Sequence, residues 1–184
     1  MYGSKFLSVS IAFFAILGAY AQSKPRAIRW ERDPALSWSD FKGRAPRNTG
    51  EPSAETDTGF RVQLECFADA LDIRVEAEFY PSTSWVKPGR KSAELLRHEQ
   101  GHFDITELYA RKMRKAIRDA NIGCSNDPKA EAAGKRIFGQ LDREWEKAEK
   151  QYDVNTGDGT DFVRQKEESE RIASELGELS RYQR

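Results

Sequence analysis

Histidine, cysteine and methionine each occur only twice in 184 residues, and neither sign of charge is in excess, with 30 Lys and Arg against 30 Asp and Glu. Each shortage excludes something. Bases are scattered among acids with no positive stripe, so nucleic-acid binding lacks its electrostatic footing. Cys66 and Cys124 stand without a C-x-x-C partner, which rules against a cysteine-built zinc ribbon and leaves a metal role for the thiols the weaker reading. Beyond residue 21 no apolar run approaches the roughly 20 residues of a membrane-spanning helix, so no stable membrane insertion is expected of that part of the chain.

The one long apolar run lies at the start. Lys5 precedes a nearly uncharged stretch over residues 6–19, and Gly18-Ala19-Tyr20-Ala21 has the small-x-small form of a cleavage site. Residues 1–21 therefore read as a secretory signal peptide cut after Ala21. The competing reading, a retained anchor, is disfavoured by the short run and its small-residue exit. Residues 22–184 are expected to form one domain, periplasmic or secreted, with its own core. In an oxidising compartment Cys66 and Cys124 are expected to pair. Their bond would stabilise the fold by about 2–4 kcal/mol.

Hydrophobic periodicity points to an α+β fold, a small antiparallel or mixed sheet with one long helix and two further helices. Ala27-Ile28-Arg29-Trp30 reads as a short strand, and residues 44–59, rich in Pro, Gly, Ser and Thr, as a long irregular connection. Phe60, Val62, Leu64 and Cys66 alternate with polar residues, as do Ile73, Val75, Ala77 and Phe79. That is the pattern of two half-buried strands, with the hairpin turn over residues 69–72. A helix should run from residue 89 or 90 to about 121. Residues spaced by 100 degrees put Leu95, His98, Glu99, His102, Ile105, Thr106, Tyr109, Met113 and Ile117 on its inner face, and Arg97, Asp104, Arg111 and Lys115 on the outer one. A second helix is expected over residues 129–152 and a third over 161–181, the latter without the sustained heptads of a coiled coil.

Both histidines fall in one window, His98-Glu99-Gln100-Gly101-His102. This is H-E-x-x-H, in which two imidazoles one helical turn apart hold zinc and the glutamate between them serves as general base toward water. The bland reading is a pair of helix histidines satisfied by hydrogen bonds. Two imidazoles and a carboxylate on an inward face must find partners, and a metal ion with its water would supply them. A catalytic site needs a third protein ligand. With no histidine left, it must be a carboxylate or, less plausibly, a thiolate. Asp158, flanked by Gly157 and Gly159, leads, with Asp153 and Asp161 as alternatives from the same loop; Glu107 lies well off the histidine face. Tyr109 shares the inner face and could donate to an oxyanion, or simply fill the core. Trp38 and Trp85 could wall the cleft, or be ordinary buried aromatics.

Trp38-Ser39-Asp40-Phe41-Lys42-Gly43, Ser84-Trp85-Val86, and Leu95-Leu96-Arg97-His98-Glu99-Gln100-Gly101-His102-Phe103-Asp104-Ile105 together resemble a bacterial family of predicted secreted zinc-dependent proteases, domain of unknown function 922. The resemblance implies an exported, zincin-like metallopeptidase that uses Zn2+ and acts on a peptide or protein substrate. Tyr152-Asp153-Val154-Asn155-Thr156-Gly157-Asp158-Gly159 extends it, since family members tend to carry Tyr-Asp-x-x-Thr-x-His-Gly there. Asp158 stands where that histidine, a third-ligand position, would fall. Either Asp158 replaces it as an oxygen ligand, or the site has lost its metal and its activity. In the second case the chain is a non-catalytic exported binding or structural protein.

Overall fold

The computed structural model describes residues 27–31, 35–47, 52–67, 70–122 and 128–183. The predicted signal peptide and Cys124 lie outside the described residues, as does the Cys66 side chain, so the predicted disulfide does too. The architecture is α+β. Strands β1 (Ile28–Arg29), β2 (Ala54–Glu55), β3 (Thr58–Phe67), β4 (Ala70–Phe79) and β5 (Trp85–Val86) precede helices α1 (Ala93–Asp119), α2 (Pro128–Thr156) and α3 (Phe162–Glu178). A short 3-10 turn, Ser180–Tyr182, follows. One antiparallel sheet has the order β1-β4-β3, and β2 pairs with β5 in a second. No helix among the described residues is long and apolar enough to cross a membrane.

The β3–β4 hairpin is longer than its alternation suggests. Pairing runs from Thr58 with Phe79 to Phe67 with Ala70, so Ala70, Leu71 and Asp72, expected in the turn, are paired residues of β4. Alternation nevertheless sets the faces: Val75, Ala77 and Phe79 are fully buried, joining Phe103, Ala110, Met113 and Ile117 of α1 in the main core. Phe79 meets Phe41 edge-on at 5.1 Å between ring centroids, an arrangement that adds directionality to the burial. Part of the predicted irregular connection is ordered as β2, whose Ala54 and Glu55 pair with Val86 and Trp85.

Helix α1 begins at Ala93, four residues after the earliest predicted start at 89. Gly89 turns the chain at φ +76°, and the Ser92 hydroxyl accepts from the Leu95 amide at 3.0 Å, capping the first turn. Asn121, at φ +48°, ends it in the left-handed region. Because α1 packs against the sheet and against both α2 and α3, its predicted outer face is not all exposed. Arg111, expected outside, is 3 % exposed. It donates to Glu107 at 2.8 Å and to the Leu176 carbonyl at 2.6 Å. Arg114 also donates to Glu107, at 2.7 Å. Such a buried group of charges persists only because each member is hydrogen-bonded.

Asp104, also predicted on the outer face, accepts from the Trp30 indole at 2.7 Å and from the Gln100 amide at 2.8 Å. The Gln100 carbonyl oxygen in turn accepts from the Leu36 amide at 2.8 Å. The interior of the H-E-x-x-H segment thus ties the N-terminal segment to α1 on the side away from the histidines. Replacing Asp104 by Ala leaves two donors without this acceptor. It should cost about 2 kcal/mol, read as a fall of roughly 4–8 °C in thermal midpoint by calorimetry; a change within error would show that the contact contributes nothing.

Candidate metal centre

One turn of α1 sets His98 above His102, with Nε2 atoms 3.3 Å apart and ring planes at 85°. The last turn of α2 brings Asp153 to the same point. Its Oδ1 lies 3.3 Å from His98 Nε2 and 3.0 Å from His102 Nε2. Two zinc–ligand bonds of about 2.05 Å at a tetrahedral angle put their ligand atoms about 3.3 Å apart. The three distances are therefore close to the edges of one face of a zinc coordination tetrahedron.

The far nitrogens decide which atoms face inward. His102 Nδ1 bonds to Glu149 Oε2, an acceptor-only carboxylate. His98 Nδ1 lies 3.1 Å from Gln165 Oε1 and 3.3 Å from the Thr156 hydroxyl, which itself donates to the Tyr152 carbonyl at 2.8 Å. Both Nδ1 atoms thus carry hydrogen, and both Nε2 lone pairs point at Asp153. Two lone pairs and a carboxylate in contact require a cation between them, a proton or a metal ion. This donor set, with its carboxylate and amide partners behind the imidazoles, fits zinc.

Without a metal, the proton supplies that charge. Burial lowers the His102 pKa, but hydrogen bonds and charge from Asp153 and Glu149 outweigh it and push the value up to about 10. Burial raises Asp153, and the hydrogen bonds from His102 and His98 overcome it, holding the carboxyl well below its usual range. Glu99, 2 % exposed, accepts from the Thr56 hydroxyl at 2.6 Å. Burial pushes its pKa up, only partly opposed by Thr56 and the two imidazoles.

Tyr152 is the wall behind the histidines. Its ring stacks on His98 at 5.0 Å with planes 9° apart, and meets His102 edge-on at 5.0 Å. Its hydroxyl donates to the His98 carbonyl at 3.2 Å and accepts from the Gln165 amide. This approach needs a residue without a side chain at 101, since a Cβ on Gly101 would lie 2.0 Å from the Tyr152 oxygen. A Cβ on Gly159, at φ +76°, would lie 2.8 Å from His98 Cβ. In front of the triad is a cleft of about 490 Å3 between residues 52–58 and the faces of α1 and α2.

The family model described as bacterial protein of unknown function (DUF922) matches residues 37–159. The chain belongs to this family. No curated protein and no solved structure matches it. The DUF922 match includes the whole triad and both close-approach glycines but ends before α3, so Gln165, which orients His98, lies beyond it.

Of the residues singled out in this DUF922 chain, His98, Glu99 and His102 come together, and the carboxylate that converges on both imidazoles is that of Asp153. Asp158 is exposed with φ +51° and lines the cleft, yet it is not in the group of converging ligand atoms. Asp161 caps α3, accepting from the Arg164 amide at 3.0 Å. Tyr109 does not line the cleft; it is half-buried beneath Lys112, whose ammonium sits 4.5 Å from the ring centroid. Trp38 and Trp85 are not in the wall either, which instead contains Trp145. Trp145 donates to Glu149 at 2.8 Å.

Thr56, Glu149, Tyr152 and Gln165 were not singled out by the sequence. A signal for part of this set exists: Trp145, Glu149 and Asp153 recur every four residues, one face of a helix if α2 is carried past 152. Gly101→Ala should displace the Tyr152 ring from His98 and cost about 1–3 kcal/mol of overpacking. Chemical denaturation would measure it, and unchanged stability would contradict the close approach.

Proposed function

We propose that this DUF922 protein is an exported, zinc-dependent peptidase of zincin-like design. The observation carrying the proposal is that Asp153 Oδ1 approaches both His98 and His102 at distances suited to one ion, with buried Glu99 beside them on an open cleft. A zinc ion held by these three side chains would supply a Lewis acid for a scissile carbonyl and lower the pKa of water. Glu99 accepts the proton of the attacking water and delivers it to the leaving amine. Thr56 holds one Glu99 oxygen and leaves the other to work. Glu149 and Gln165 fix the imidazole tautomers, and Tyr152 keeps the rings in place from behind. Export rests on the apolar N-terminal segment and its small-residue exit.

The position of Asp158 motivates the rival, a non-catalytic binding protein. A carboxylate converging on both imidazoles speaks for the enzyme, because a degenerate site has no call for one. Purified protein should take up zinc near one equivalent. Asp153→Ala should weaken zinc binding by roughly 100-fold or more, beyond the range typical of outer-shell changes, and Asp158→Ala should weaken it far less. Glu99→Gln should keep the metal and lower kcat/KM on peptides by about 10²–10⁴. Negligible uptake after zinc loading would sink the metal reading, while full activity in Glu99→Gln would sink the mechanism.

Zinc must displace the proton from His102, whose pKa in the metal-free protein is about 10. Binding at neutral pH should therefore release about one proton per ion, and affinity should fall as pH drops further below that value. Calorimetry in buffers of different ionisation enthalpy measures this release; heats independent of the buffer would contradict it.

A further inference from the structure

The cleft carries a charge that the chain as a whole does not. Among the described residues Glu55, Asp57, Glu99, Glu149, Asp153 and Asp158 line it, and no Lys or Arg does, although acids and bases are equal in number overall. Asp153 and Glu149 are engaged with the imidazoles, and Glu99 is buried against Thr56. Glu55 on β2 and Asp158 on the α2–α3 turn are exposed. Among the described residues neither carboxylate enters an ion pair. A divalent ion offsets only two negative charges, so the cleft stays anionic when metal is bound. Like charges held around a concave wall repel one another, and the field is focused into the opening. A cation entering the cleft relieves that repulsion.

Resting on the peptidase reading, we propose that the substrates are cationic peptides that present lysine or arginine beside the bond to be cut, with Glu55 and Asp158 as the specificity-determining groups at the mouth. The apolar parts of Leu95 and Trp145 in the same wall suit the methylene stem of such a side chain while its charged end reaches a carboxylate. The same potential turns away acidic peptides and phosphoesters, so discrimination comes from repulsion as well as attraction.

Short fluorescent peptides, identical except for Lys, norleucine or Glu at two positions, are titrated by anisotropy with metal-free protein and with zinc-loaded Glu99→Gln. The Lys peptide should bind about tenfold tighter than the norleucine peptide, with the Glu peptide weakest. Its advantage should shrink as salt is raised and fall to about twofold or less in the double variant Glu55→Gln, Asp158→Asn. Equal binding of Lys and norleucine peptides, or a Lys advantage indifferent to salt, overturns the proposal without use of the variant. An advantage that survives in the folded double variant overturns the assignment to Glu55 and Asp158. Cleavage by the unaltered protein is scored separately: a Lys preference in binding with no peptide cut removes the peptidase reading and leaves the cationic-peptide site standing.

Discussion

Everything at the candidate centre depends on how closely α2 can approach α1, and that approach is set where the Tyr152 ring lies over Gly101. With no side chain at 101, the phenol reaches the His98 carbonyl and its ring lies flat on the imidazole. Once the helices are this close, Glu149 and Asp153, one turn apart on α2, reach opposite nitrogens of the same His102 ring. A bulkier residue at 101 would push α2 outward, and a displacement of one ångström is enough to lose a coordination geometry. The packing and the chemistry are one constraint.

The cost of this arrangement is polarity inside the domain. Helix α1 buries His98, Glu99, Thr106, Glu107 and Arg111, an expensive set unless every group is satisfied. The satisfaction is divided by direction. Toward α2 and α3 the imidazoles find carboxylate and amide partners, and Thr106 bonds the His102 carbonyl at 3.0 Å. Farther along the helix Glu107 accepts from both Arg111 and Arg114, which also donate to carbonyls of α3 and β4. The intervening apolar residues supply the burial that holds these networks in register.

What could be read from the sequence follows the range of each interaction. His98, Glu99 and His102 are fixed by a four-residue spacing, and the faces of β4 by strict alternation, both local properties. Asp153 was open among three candidates because Asn155, Gly157 and Gly159 suggest that the helix stops at Tyr152. In the fold it continues to Thr156, whose hydroxyl bonds back to the Tyr152 carbonyl. One extra turn moves Asp153 from loop to helix and leaves Asp158 on the turn outside. Arg111 was misplaced for a different reason: periodicity assumes one buried face, and α1 has neighbours on more than one side.

The two histidines have different partners behind them, a carboxylate for His102 and a neutral amide for His98. A carboxylate pulls its N–H proton harder than an amide does and makes the opposite nitrogen the stronger electron donor. The pair is therefore chemically lopsided although the sequence writes the same letter twice. An ion seated there would be held more firmly by His102 than by His98.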